Sequence, residues 1–206
     1  MNRGNILLAR GNAVEALNAY QKALELEPDY AAAHYNAGNA QASLNNHEAA
    51  CAAYEKAILL KSDFTDAHVA LGNALEDIGR RDEAIASYRR ALEISPDYAE
   101  VHANLGKTLL ALGHQEEAMT SLQRAVELMP DDMETLFVLG VTQKSRGELD
   151  AARSSFSILH AAAPENVDYE IHLGDTFLEL GQFDDAKACY QRAIEIDPEH
   201  VVAHNN

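Results

Sequence analysis

"AHVALGNALEDIGRRDEAIASYRRALEISPDY", residues 67–98, holds two helical patterns, a joint and a stop. Val69, Leu71, Ala74, Leu75 and Ile78 recur at helical spacing and predict a helix from Thr65 to about Ile78. Gly79 follows, where a helix end wants a residue tolerant of positive φ. A second pattern begins near Asp82, whose carboxylate suits the free N–H groups and the positive end of a helix. Ala84, Ile85, Tyr88, Ala91 and Leu92 then form one apolar stripe, and Pro96 ends it.

Outward from this stretch the pattern repeats every 34 residues. Prolines stand at 28, 96, 130, 164 and 198, with Ser62 in the skipped place. A glycine lies 24 residues before each mark: Gly4, Gly38, Gly72, Gly106, Gly140 and Gly174. Ala16, Ala50, Ala84, Ala118, Ala152 and Ala186 lie 12 before, and a bulky residue lies eight before, at Tyr20, Tyr54, Tyr88, Leu122, Phe156 and Tyr190. The sites equivalent to Gly79 are Gly11, Asn45, Gly113, Gly147 and Gly181. Asn45 fits, because asparagine tolerates the left-handed region better than most residues. One supersecondary unit stacked at fixed period makes a solenoid, so the expected fold is all-α. Gly72 and Ala84 are expected to let paired backbones approach closely.

Composition narrows the function. The 206 residues are 47% hydrophobic and 6% aromatic, with no apolar run near the roughly 20 residues that span a bilayer. The start, MNRGNILLARGN, offers only the short apolar patch Ile6–Ala9, so no secretory signal is read there. Sixteen Lys and Arg against 33 Asp and Glu give a net charge of −17, which argues against nucleic acid and admits a basic partner. Cys51 and Cys189 are too few for a disulfide framework and read as packed apolar side chains in a reducing compartment, the cytoplasm.

The pattern resembles the tetratricopeptide repeat, W-x2-L-G-x2-Y followed by A, F and P over 34 residues. "AHYNAG", "AHVALG" and "VHANLG" repeat its start. The resemblance implies a right-handed superhelical array over 1–206: a partial repeat 1–30, repeats 31–64, 65–98, 99–132, 133–166 and 167–200, and a partial repeat 201–206. Two departures stand out. His34, His68, His102, Leu136 and Glu170 take the place of the first aromatic. Leu159 stands where the other repeats have Ala23, Ala57, Ala91, Ala125 and Ala193, and a change of superhelix twist is expected near 150–165. Both termini fall inside a first helix with no capping element, which suggests a piece of a longer array.

The resemblance also implies a concave groove lined by the first helices. Its sixth position is Asn2, Asn36, Ala70, Asn104, Val138, His172 and Asn206; its ninth is Asn5, Asn39, Asn73, Lys107, Val141 and Asp175. An amide offers an acceptor and two donors, matching the C=O and N–H of an extended peptide. The groove of O-linked N-acetylglucosamine transferases looks similar, with an asparagine ladder at the sixth position. The peptide-binding residues expected are Asn36, Asn39, Asn73, Asn104, Lys107, Tyr35 and Asn5. A competing expectation is that these amides bond to their own helices. The carboxylate clamp of chaperone-tail receptors is not matched, because Asp66 and Ala70 occupy two of its basic places. Farther along, Asp66, Glu76, Asp77, Glu100, Glu134, Asp168, Asp175 and Glu179 turn the groove acidic, with Phe137 and Ile171 making it partly apolar and Lys107 and Lys144 relieving the charge.

No zinc-binding spacing, phosphate loop or nucleophile motif is found, so no cofactor and no catalysis are expected. The histidines read as packed residues replacing an aromatic. The expected function is a non-catalytic interaction scaffold for an extended peptide or partner helix. The alternative is the substrate-recruiting arm of a larger enzyme, such as a glycosyltransferase. Self-association through uncapped ends is a further option.

Overall fold

The computed structural model describes residues 2–205, with side chains from Arg3 onward. Among the described residues every regular element is a helix: α1 (Asn2–Ala9), α2 (Ala13–Leu26), α3 (Ala31–Ser43), α4 (His47–Leu60), α5 (Thr65–Asp77), α6 (Arg81–Ile94), α7 (Ala99–Ala111), α8 (Gln115–Leu128), α9 (Met133–Ser145), α10 (Leu149–Ala162), α11 (Val167–Glu179), α12 (Phe183–Ile196) and α13 (Val201–Asn205). The expected all-α helix-pair fold is the one observed. From α3 to α12 the first helix of each pair has 13 residues and the second 14.

The turn inside each pair is set by one left-handed residue. Gly11, Gly79, Gly113, Gly147 and Gly181 have φ between 74° and 81°, and Asn45 has φ 59°. The expected capping role of Asp82 is only partly realised. Arg80 is the N-cap of α6, no side chain caps it, and Asp82 sits in the first turn. Side-chain capping occurs instead at α9, by Asp132, and at α11, by Asn166.

The chain forms two compact units, 1–114 and 115–206. In the first unit the core is built of Ala16, Tyr20, Ala50, Tyr54, Ala84 and Tyr88, each at most 2% exposed. In the second, Ala152, Phe156, Leu159 and Ala193 are fully buried. The helical glycines have a more specific task than backbone approach. A Cβ on Gly4, Gly38 or Gly72 would lie closer than 3.0 Å to the ring of Tyr20, Tyr54 or Tyr88, and one on Gly174 would do the same to Tyr190. Each of these glycines is a floor on which the aromatic ring of the second helix lies.

The histidines at the first-aromatic place are more than apolar filler. The Nε2 atoms of His34, His68 and His102 lie 2.7, 3.0 and 2.8 Å from the carbonyl oxygens of Pro28, Ser62 and Pro96. A carbonyl only accepts, so Nε2 carries the proton and donates. Each imidazole ties a first helix to the end of the preceding second helix. In the second unit His204 does the same to Pro198 at 2.8 Å. Glu170 answers the same position differently. It is fully buried, and its carboxylate meets Arg192 at 3.0 Å and the Nδ1 of His160. A buried carboxylate survives only when so paired.

Gly72→Ala is expected to lower stability by about 1–3 kcal/mol through the Tyr88 ring, and most of that loss should vanish in a Tyr88→Ala background. Gly79→Ala, with open space around it, should cost about 1–2 kcal/mol from backbone strain alone, in either background. Urea unfolding of the four-variant cycle measures the coupling.

Candidate functional site

In the first unit the ninth-position amides are held by tyrosines 15 residues later. Tyr20 Oη donates to Asn5 Oδ1 at 2.8 Å, Tyr54 to Asn39 at 2.8 Å and Tyr88 to Asn73 at 2.7 Å. Burial pushes all three hydroxyls above the ordinary tyrosine value, so they remain protonated donors; the nearby Tyr35 adds to the rise at Tyr54, and Glu76 and Asp77 add to it at Tyr88. The sixth-position Asn36 donates from Nδ2 to its own helix at Ala32 O, 2.8 Å away. Asn36 thus gives one amide N–H to its own helix, and its second N–H and its Oδ1 are not part of that bond. For Asn39 the carbonyl is taken and the amide N–H groups are not part of that bond.

Asn73 and Asn104 are joined across neighbouring first helices. Asn104 Nδ2 donates to Asn73 Oδ1 at 3.1 Å, so that oxygen accepts from both Tyr88 and Asn104. Beside the pair is a pocket of about 270 Å³ lined by Asn73, Glu76, Asp77, Tyr88, Asn104, Lys107 and Thr108. Three expected binding residues, Asn73, Asn104 and Lys107, meet here. Asn5, Asn36, Asn39 and Tyr35 line no part of it. Tyr35 instead packs its ring 4.9 Å from Phe64 and 5.9 Å from Tyr54. Asn2 and Asn206, the end members of the sixth-position series, lie outside the described side chains.

The carboxylates at this pocket carry partners on their outer sides. Glu76 Oε1 lies 3.0 Å from Arg81 Nε, and Asp77 Oδ2 lies 3.0 Å from His47 Nδ1. Glu76 Oε2 is buried with no hydrogen-bond partner. Tyr88 and Thr108 were missed as lining residues. Tyr88 was legible: wherever the ninth position is Asn or Asp, the residue 15 later is Tyr, and where it is Lys107 or Val141 that residue is Leu122 or Phe156.

The second unit presents different chemistry at the equivalent positions. Asp175 accepts from Tyr190 Oη at 2.8 Å and pairs with Lys144 at 3.0 Å. His172 stacks on Phe156 with centroids 5.3 Å apart and meets Phe137 edge-on at 5.0 Å. Val141 and Leu178 are exposed nearby. Burial, with help from the Lys144 ammonium, lowers the His172 pKa. Burial likewise pushes the Cys189 thiol up to about 11, so it stays a thiol. Among the described residues no group of three His, Cys, Asp or Glu is placed to hold a metal ion, and no helix is long and apolar enough to cross a membrane.

Comparison with known proteins follows the same geometry. A profile described as TPR repeat matches residues 4–45, 38–79 and 77–113, and profiles described as tetratricopeptide repeat match 99–132 and 167–200. No curated protein matches. Among solved structures, the chain is similar to YrrB, described as a TPR protein with an unusual peptide-binding site, at 30% identity and TM-score 0.83, covering 91% of this chain and 96% of that one. It shares the fold of a MamA protein at 22% identity and TM-score 0.76, covering 82% and 92%. It also shares the fold of PilF of Pseudomonas aeruginosa at 19% identity and TM-score 0.78, covering 99% and 93%.

A histidine whose folded pKa is lowered gives its full stabilising contribution above the unfolded value of about 6.5. The contribution is lost as pH falls below that value toward the lower folded one, because the unfolded chain takes up the proton first. The unfolding midpoint of the chain should therefore fall between pH 7 and about 5, and His172→Phe should flatten that slope.

Proposed function

The chain belongs to the tetratricopeptide repeat family, and on that premise we propose that it binds an extended peptide across the exposed faces of α5 and α7, centred on the pocket beside Asn73 and Asn104. The observation that carries this reading is the pocket itself. It brings two amides, a lysine ammonium, two hydroxyls and two carboxylates around one opening large enough for a side chain. Amide N–H groups of Asn73 and Asn104 suit the carbonyls of a passing backbone. Glu76 and Asp77 favour a Lys or Arg side chain in the peptide. Asn36, Asn39, Tyr35 and Asn5 extend the contact along α3 and α1. The likeness to YrrB, a TPR protein with an unusual peptide-binding site, at 30% identity, supports peptide binding as the kind of activity.

The role is that of an interaction scaffold, with no chemistry of its own. A recruiting arm within a larger enzyme would use the same face, with its catalytic residues beyond these 206.

The natural Asp175–Tyr190 pair shows that a carboxylate replaces the ninth-position amide as acceptor for the tyrosine. Asn73→Asp therefore keeps the Tyr88 bond and removes the amide donors. Selection of labelled decapeptides from a random library on the wild-type chain, followed by fluorescence anisotropy, gives the test. The variant carrying Asn73→Asp, Glu76→Ala, Asp77→Ala and Asn104→Ala, whose pocket loses both amides and has one carboxylate fewer, should bind the selected peptides at least about tenfold more weakly, the loss of about 1.4 kcal/mol, with its helical circular dichroism retained. Selected peptides should be enriched in Lys or Arg and bind more weakly as salt rises. Equal affinity for both proteins ends the proposal.

A further inference from the structure

A second opening lies in the first unit on the other side of α5. Glu55, Ile58 and Leu59 of α4, His68 and Leu71 of α5, and Ala86, Ser87 and Arg90 of α6 line a shallow, open cleft of about 400 Å³. On a helical wheel His68 and Leu71 point about 160° away from Asn73, Glu76 and Asp77. A peptide in the pocket beside Asn73 would leave this opening untouched.

Its chemistry is apolar inside and charged at two edges. Leu71 is buried beneath it, Ile58 is half-buried, and Leu59 stands 77% exposed at its lip. A leucine this exposed, beside a cleft of aliphatic side chains, places a projecting group and a receiving cavity side by side. Glu55 edges the α4 side and Arg90 the α6 side, where Arg90 also pairs with Glu93. A surface with one acid and one base on opposite edges of an apolar cleft is complementary to itself under a two-fold rotation. Residue i then meets residue j twice, so Glu55 of each copy faces Arg90 of the other.

The charge distribution permits this despite the net charge of −17. α6 is neutral, with Arg81, Arg89 and Arg90 against Asp82, Glu83 and Glu93. α4 carries one net negative charge, with Glu48 and Glu55 against Lys56. By contrast α11 carries Asp168, Glu170, Asp175 and Glu179 with no Lys or Arg. The acidic excess lies elsewhere, and two copies meeting through α4 and α6 do not oppose two strongly acidic surfaces.

We propose that this cleft is a homotypic docking site, in which Leu59 of one copy enters the Ile58–Leu71–Ala86 cleft of a second copy and two Glu55–Arg90 pairs fix the register. The contact is independent of the peptide-binding reading. Sedimentation velocity of the purified chain from micromolar to millimolar concentration, at physiological ionic strength, tests it. Wild type should shift toward dimer as concentration rises, and Leu59→Asp should stay monomeric throughout; because Leu59 is exposed, its circular dichroism and melting midpoint should match wild type. Glu55→Arg and Arg90→Glu should each weaken association about tenfold, and the two together should restore it. Wild type that is monomeric at every concentration overturns the proposal. So does association that survives Leu59→Asp and is lost in Val202→Asp, which would place the contact at the terminal repeat. A double charge reversal no better than either single one removes the two-fold register.

Discussion

A ring lying on a glycine and reaching an amide is the interaction on which the rest of this molecule rests. In Gly38–Tyr54–Asn39 and Gly72–Tyr88–Asn73 three residues on two helices fix the crossing of the pair. The missing Cβ sets the distance, and the ring fills the gap. The hydroxyl, too buried to ionise, needs an acceptor and takes one from the adjacent residue of the first helix. Each part requires the others: a side chain on the glycine displaces the ring, and loss of the amide strands a buried donor at about 1–3 kcal/mol. Where the hydroxyl is absent the ninth position is released to other chemistry, as at Lys107 and Val141.

The same device orders the pocket residues. The Tyr88 bond holds the Asn73 carbonyl, and that carbonyl in turn holds Asn104 on the next first helix. The pocket beside them is thus positioned by packing that would exist without any ligand. Surface side chains oriented in this way have less freedom left to lose to any ligand.

The second unit shows how far the repeat can vary. Phe156 keeps the ring and loses the hydroxyl, and a Cβ on Gly140 would meet it at 3.0 Å, a looser fit than at the tyrosines. Glu170 replaces an imidazole with a buried carboxylate, hydrogen-bonded by Arg192 at Oε2 and with His160 beside Oε1. Leu159, at a place elsewhere held by alanine, is fully buried within a second helix of ordinary length.

The sequence by itself determined the helices, their turns and their pairing. Those follow from local rules: apolar stripes at helical spacing, left-handed residues at Gly79 and its equivalents, prolines at fixed intervals. It also placed Asn73, Asn104 and Lys107 among the functional candidates. The 15-residue coupling of amide to tyrosine was present in the sequence too, as a pairing of residue types across repeats. Only the tertiary structure decided which amides were already engaged, which residues gathered round a single pocket, and that the histidines latch one pair to the next. Those outcomes depend on distances of about 3 Å from a side chain to a partner 6 to 31 residues away, and a linear pattern fixes the face a side chain occupies without fixing the partner it reaches.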